Sequence, residues 1–310
     1  MPRPTQPRRT RCPFARPAPV PASAPARPPA PPDARSPRAA NCGVHYWADH
    51  EAAERQEAIE LQTELTAEGY SDWVDIKREQ AGPEAWRDAI AWIRNALPKD
   101  AGRGSAPVIY DVGAGDGHFL SLARDEGGFA VTGNEIAKGA VELAKERYDV
   151  DLDLGVLEDL GHVEDVDAAT LWCVLAHVPD GDQLLTEVRT MLRPGGVLFL
   201  QTPHWTAADE AAVRVKDLTR GRVAKVPDRR IAQHHWILHT RRSITAQLNR
   251  LGFVDVVAEP KLRYTLTSRA YFASMNPPQW TIGPASWLLD KAVASGLAPR
   301  IVLDVRARKG

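Results

Sequence analysis

Residues 108–112, Val-Ile-Tyr-Asp-Val, form an apolar run with an acid set near its end, and Gly113, Gly115 and Gly117 come next at every second place. Helical spacing resumes at Leu120 and at Leu122 and Ala123. That order reads as a strand, a tight turn and the start of a helix. Glycine tolerates positive φ and leaves the backbone bare, so a ligand can approach it closely. A helix start adds unpaired N–H groups and a partial positive charge. The chemistry this suits is the holding of a charged cofactor. A second apolar run, Phe129-Ala130-Val131-Thr132-Gly133-Asn134-Glu135, also ends in an acid. Glu135 stands about 20 residues beyond the turn, where a carboxylate can accept both hydroxyls of a ribose. The dinucleotide fingerprint is G-x-G-x-x-G, and His118 fills its third glycine place, which disfavours a nicotinamide cofactor.

The elements that must position these residues repeat the same rhythm. The spacing predicts a helix over 140–148 and a short third strand near 152–156. Residues 167–180, Asp-Ala-Ala-Thr-Leu-Trp-Cys-Val-Leu-Ala-His-Val-Pro-Asp, read as a fourth strand and its turn. Leu184, Leu185, Val188 and Leu192 share one face of a helix over 182–192, which Arg193-Pro194-Gly195-Gly196 stops. Residues 197–203 are an apolar fifth strand. A helix over 243–251 closes at Gly252, and 253–258 and 301–306 read as two last strands. Strands alternating with helices indicate an α/β chain.

Two later segments are more specific than the glycine turn: Val-Leu-x-His-Val-Pro-Asp at 174–180 and Leu-x-Pro-Gly-Gly-Val-Leu at 192–198. With Asp-x-Gly-x-Gly-x-Gly at 111–117, they resemble the class I S-adenosylmethionine-dependent methyltransferases, in particular the group containing ubiquinone-biosynthesis and other small-molecule enzymes. The resemblance covers about residues 108–258. It implies a Rossmann-like, seven-stranded mixed sheet with helices on both faces, ending in an antiparallel hairpin. It implies S-adenosyl-L-methionine as cofactor. Asp111, Gly113, Ala114 and Gly115 would then cradle the aminocarboxypropyl arm, and Gly117 would permit the helix turn. Glu135 would hold the ribose, Ile136 and Leu157 would meet the adenine, and Leu171 and Trp172 would run beside the methionyl part. Many relatives carry Asp two places before Glu158. Val156 stands there, which leaves Glu158, Asp159 or the backbone to meet the adenine amino group.

Candidate bases come from histidines at strand ends, where an open α/β sheet places its ligand. His177 comes after the fourth strand, His204 after the fifth, and His234 and His235 after the segment beyond it. Each is open between a structural and a catalytic role. His235 and His239 stand four apart, like metal ligands, but no third ligand is evident, and no metal site is expected.

Composition bounds the rest. Residues 1–40 hold thirteen of the 25 prolines and eight arginines against one aspartate, in a chain of net charge −1. Such a tail is expected to be disordered, and the remainder of the chain is net acidic. Phosphate contacts want a basic face, so nucleic acid is an unexpected partner, although Lys216, Arg220, Arg222, Lys225, Arg229 and Arg230 keep it open. Three cysteines without Cys-x-x-Cys argue against disulfides or zinc, and no apolar run reaches about 18 residues, so a cytoplasmic protein without a membrane span is expected.

The expected organisation is a tail at 1–40, a helical cap at 41–104 and the catalytic domain at 105–310. The cap holds one helix over 49–68 and another opened by Pro83, with Trp86, Ile90, Ile93 and Leu97 on one stripe. Within the domain, 204–232 reads as a flap without structure of its own. Residues 260–299, with Trp280, Trp287 and a helix near 286–295, read as a lid or an interface. The expected function is methyl transfer to a small molecule, with oxygen as the expected target. N- or C-methylation of a sugar or metabolite and a non-catalytic scaffold are the alternatives, and homodimerisation is left open.

Overall fold

The computed structural model describes residues 38–39, 45–46, 67, 83–102, 104–222, 235, 237–263, 267–273 and 277–310. Of the expected tail at 1–40 only Arg38 and Ala39 are described, and they form a strand rather than the disorder expected there; of the helix over 49–68 only residue 67 is described, and His234 with the rest of the segment 223–234 lies outside the described residues.

The centre is a seven-stranded sheet built from β3 (Val108–Val112), β4 (Ala130–Glu135), β5 (Asp153–Leu154), β6 (Val166–Trp172), β7 (Leu192–Pro203), β9 (Phe253–Lys261) and β10 (Val302–Lys309). Their order is β5-β4-β3-β6-β7-β10-β9. The first five are parallel, and β10 runs antiparallel to both β7 and β9. The order reverses between β3 and β6, so the cleft above their carboxyl ends is the switch point at which such sheets take ligands.

Helices cover both faces. On one lie α4 (Gly181–Met191) and α6 (Arg241–Arg250). Leu185, Val188 and Met191 of α4 and Ile244 and Leu248 of α6 pack with Tyr110, Leu171, Leu198, Leu200, Leu303 and Val305 of the sheet. Asp180 caps α4 by accepting from the Gln183 amide at 2.9 Å. Asp182 joins the two helices, accepting from Arg250 at 2.6 Å and Gln247 at 2.9 Å. On the other face lie α1 (Glu84–Ala96), α2 (His118–Asp125) and α3 (Lys138–Tyr148). Ala89, Ile90, Ile93, Phe119, Leu120 and Ala144 pack there against Ile109, Ala168 and Phe199.

Two further expectations are corrected. Residues 45–46 fall in the stretch read as helical, yet β2 (His45–Tyr46) is a strand, pairing with β1 (Arg38–Ala39) and β8 (Ile237–Leu238). Two residues are too few to leave a periodic trace, and pairing on both sides is what fixes them. The second concerns 204–232, read as a flap without its own structure. Residues Ala207–Leu218 form helix α5, started by a reciprocal capping box in which Thr206 and Asp209 satisfy each other's backbone N–H.

Asp167, at the foot of β6, is buried and accepts from Arg193 at 2.7 Å, the Val108 amide at 2.8 Å and the Gly102 amide at 3.4 Å. Asp167→Ala leaves these donors unpaired, and the expected loss is about 3 kcal/mol. The urea midpoint should fall at constant slope while cofactor affinity stays, because Asp167 lies at the opposite end of the strands from the cleft. An unchanged midpoint would show that the cluster is dispensable.

Candidate active site at the strand ends

The switch point is built from the ends of β3, β4 and β6. Asp111 pairs in register with Gly133 on one side and Thr170 on the other. Its carboxylate is buried and accepts from the Thr170 hydroxyl at 2.6 Å. Burial pushes the Asp111 carboxyl well above the ordinary range, the Thr170 hydrogen bond opposes that, and the nearby Glu135 charge adds to it. Beyond it, Gly113, Gly115 and Gly117 take φ of 66°, 60° and 76°. At Gly113 a Cβ would stand 2.7 Å from Cγ2 of Val174, so the turn closes directly onto the segment after β6. Gly117 is the N-cap of α2 and supplies no side-chain cap, which leaves the positive end of the helix for a ligand to meet.

Glu135 ends β4 and is buried. One oxygen accepts from the Gly115 amide at 2.9 Å. The other accepts from the Ile136 amide at 2.7 Å and the Ala137 amide at 3.1 Å. The carboxylate therefore ties the glycine turn to the end of the next strand. Ala114 is buried, and its amide donates to the Asn134 carbonyl at 2.9 Å. Ile136 is half-buried beside it. Leu157 is buried in a single 3₁₀ turn, Leu157–Asp159. Glu158, a candidate for the adenine amino group, accepts from the Gln183 side chain.

Leu171 and Trp172 end β6, but their side chains enter opposite core layers. Leu171 is fully buried with Leu175 and Leu185, and Trp172 packs at ring-centroid distances of 5.1 Å from Phe119 and 6.1 Å from Trp86. Their main chain is what stands at the site. Cys173 comes next in the left-handed region, at φ 61°, a strained backbone of the sort that persists where its surroundings hold it.

The histidines divide. His177 closes the 3₁₀ turn Leu175–His177, and its ring lies 4.8 Å from that of His235. His204 comes directly after β7. Its Nδ1 donates to the Arg300 carbonyl at 2.7 Å, and its amide donates to Ile301 at 2.8 Å. A carbonyl only accepts, so the proton sits on Nδ1 and Nε2 is the basic nitrogen. His239 is fully buried, with Nδ1 3.3 Å from the Ser243 hydroxyl, and burial lowers its pKa to about 3. It is therefore neutral and belongs to the core. The Trp205 amide donates to the His239 carbonyl at 2.9 Å, which joins the small β1-β2-β8 sheet to the end of β7. Among the described residues no group of three or more metal-type ligands is present.

Residues that sequence reasoning passed over are Thr170, Gly133 and Asn134. Thr170 was visible as a hydroxyl in an apolar strand. Asn134 donates its side-chain amide to the Gly155 carbonyl at 2.8 Å and so fixes the turn after β5.

A sheet of this order with an antiparallel last strand, a glycine turn at a helix start and a carboxylate closing the next strand define a class I S-adenosylmethionine-dependent methyltransferase. The family model described as a methyltransferase domain matches residues 79–258, more than half of the chain, and the chain belongs to that family. It is 28% identical over 181 residues to 27-O-demethylrifamycin SV methyltransferase of Amycolatopsis mediterranei, covering 51% of this chain and 66% of that enzyme. It is 35% identical over 107 residues to ubiquinone biosynthesis O-methyltransferase of Xanthomonas campestris pv. campestris, covering 32% of this chain and 44% of that enzyme. The chain thus spans less than two thirds of each of these relatives' own length. In fold it is similar to Haemonchus contortus phosphoethanolamine N-methyltransferase 2 solved with S-adenosyl-L-methionine, with a TM-score of 0.52 at 16% identity over 86% of this chain and 61% of that one.

S-adenosyl-L-methionine is the methyl donor, and the residues present fit it. The open helix start and glycine turn suit its charged arm, and Glu135 suits its ribose. No described helix is long and apolar enough to cross a membrane.

Proposed function

We propose that the enzyme methylates a hydroxyl of a small-molecule acceptor, with the His177–His235 pair taking up the hydroxyl proton. The observation that carries this is the meeting of two imidazoles from distant segments, 4.8 Å apart, next to the turn that Val174 closes onto Gly113. The names of the curated relatives, a rifamycin and a ubiquinone O-methyltransferase, favour oxygen.

The cofactor supplies an activated methyl on a sulfonium, so the chain's task is alignment. The glycine turn, α2 and Glu135 hold the donor, with the main chain of Leu171 and Trp172 along its methionyl part. The acceptor enters over the ends of β6 and β7, under the small sheet that β8 joins to the Leu175–His177 turn. An in-line approach at about 3–3.5 Å accounts for several kcal/mol of barrier. A hydroxyl arrives protonated and is a poor nucleophile until an imidazole accepts its proton. His204, held by Arg300, orients the rim from the far side.

Methyl-labelled donor offered to phenols, sugar hydroxyls and amines tests this. Phenols or sugars should be labelled. His177→Ala and His235→Ala should each lower kcat by about 10²–10⁴ with donor affinity unchanged, and the double variant should fall little further. Labelling of amines alone, with kcat changed less than about tenfold by either substitution, would favour N-methylation, because a neutral amine needs no base.

A further inference from the structure

We propose that helix α8 (Gln279–Ala294) is a docking surface for an anionic lipid membrane, on which the enzyme rests peripherally. Trp280, Gly283, Pro284, Trp287, Leu288 and Lys291 recur at helical spacing, and all are exposed. The exposures are large for such side chains: 79% for Trp280, 63% for Trp287 and 64% for Leu288, with Leu297 just beyond at 83%. The opposite side holds Ile282 and Ser286, both buried, and α8 packs against α7 (Ser268–Ala273). An apolar stripe of this kind marks an interaction site.

Its chemistry selects the occupant. Tryptophan is the side chain of the membrane interface, with an apolar body and a polar N–H. Lys291 ends the stripe with its ammonium 6.0 Å from the Trp287 ring, a geometry from which a lysine stem can lie along apolar surface with its charge in the headgroups. Between residues 264 and 300 the charges are Arg269, Lys291 and Arg300 against Asp290 alone, all exposed, in a chain whose remainder beyond residue 40 is net acidic. A basic, tryptophan-bearing patch on an acidic body is complementary to anionic headgroups. A second copy suits it less well. A 16-residue helix is about 24 Å long and about 10 Å wide, so one face falls well short of the ~800 Å² per partner of a stable protein interface. Six residues beyond α8 the Arg300 carbonyl accepts from His204 at 2.7 Å, so the chain leaving the helix rejoins the sheet beside the end of β7.

Co-sedimentation of the full chain with vesicles of phosphatidylcholine alone, and of phosphatidylcholine mixed with phosphatidylglycerol, is the test. Binding to the mixed vesicles is expected, weaker by roughly tenfold or more on phosphatidylcholine alone and in high salt. Trp280→Ser/Trp287→Ser should lower the partition by roughly tenfold or more, with calorimetric affinity for S-adenosylmethionine unchanged. Arg269→Glu/Lys291→Glu, which leaves the apolar stripe intact, should remove the preference for anionic lipid. Absence of binding to either vesicle, or unchanged binding by both variants, would overturn the proposal. So would a concentration-dependent dimer in light scattering that the tryptophan substitutions abolish, which would assign the face to a second copy.

Discussion

Glu135→Ala is expected to weaken S-adenosylmethionine binding by about 100- to 1000-fold. Hydrogen bonds to a charged group contribute about 1.5–3 kcal/mol each, and two ribose hydroxyls on one buried carboxylate come to about 3–4 kcal/mol, or two to three decades in Kd. The effect has a second source. Without ligand, the same carboxylate accepts from the amides of Gly115, Ile136 and Ala137. A carboxylate offers about four acceptor places, so a ribose with two hydroxyls must displace or share at least one amide. The amide expected to yield is that of Gly115, in the glycine turn proposed to meet the cofactor's arm. Alanine removes both the ribose contacts and the tie, leaving three buried donors to find water. Glutamine keeps one acceptor oxygen, so Glu135→Gln should lose less, about tenfold to a hundredfold. Calorimetry of both variants, with circular dichroism to confirm folding, checks this, and wild-type affinity in folded Glu135→Ala would refute the ribose role.

Gly133→Ala should be the most damaging single methyl addition near the site. Gly133 lies opposite Asp111 in the β3–β4 pair, and a Cβ there would stand 2.4 Å from the Asp111 carbonyl oxygen and 3.3 Å from Ala114 Cβ. The first neighbour is backbone in the middle of the sheet, so it cannot swing away. Relief requires β4 to move off β3, and that displaces Asp111 and Ala114 with it. The expected cost is about 3 kcal/mol in the urea unfolding free energy, with a loss of cofactor affinity. Gly283→Ala is the control: nothing lies within 4 Å of its would-be Cβ, and it sits inside helix α8. It should be neutral or slightly stabilising, since alanine favours helix over glycine. Equal stability of the two variants would mean that the β3–β4 contact is softer than its geometry implies.

The strand, turn and helix at 108–125 were legible because each has a local cause: β-branched runs, glycine and helical spacing. Seven strands in an α/β sheet could be read in the same way, and Glu135 could be placed from its distance to the turn. The sides on which residues fall were harder. Leu171 and Trp172 were both expected beside the methionyl part, yet β6 is covered on both faces and is apolar throughout, so the alternation that would show facing is absent. Helix α5 carried a readable sign, Thr206 with Asp209 three places later, the pair that forms its capping box. The strand at 45–46 had no sign: it is two residues long, and one of its two partners lies nearly 200 residues away at 237–238. The His177–His235 contact is likewise tertiary: sequence could place each histidine near a strand end but could not bring the two together.

The most direct test of the strand-end cleft as the cofactor site is isothermal titration of the full chain with S-adenosylmethionine and then S-adenosylhomocysteine. Saturable one-to-one binding of both is expected, in the micromolar range, and lost in Glu135→Ala. A folded sample that takes up neither would contradict the assignment.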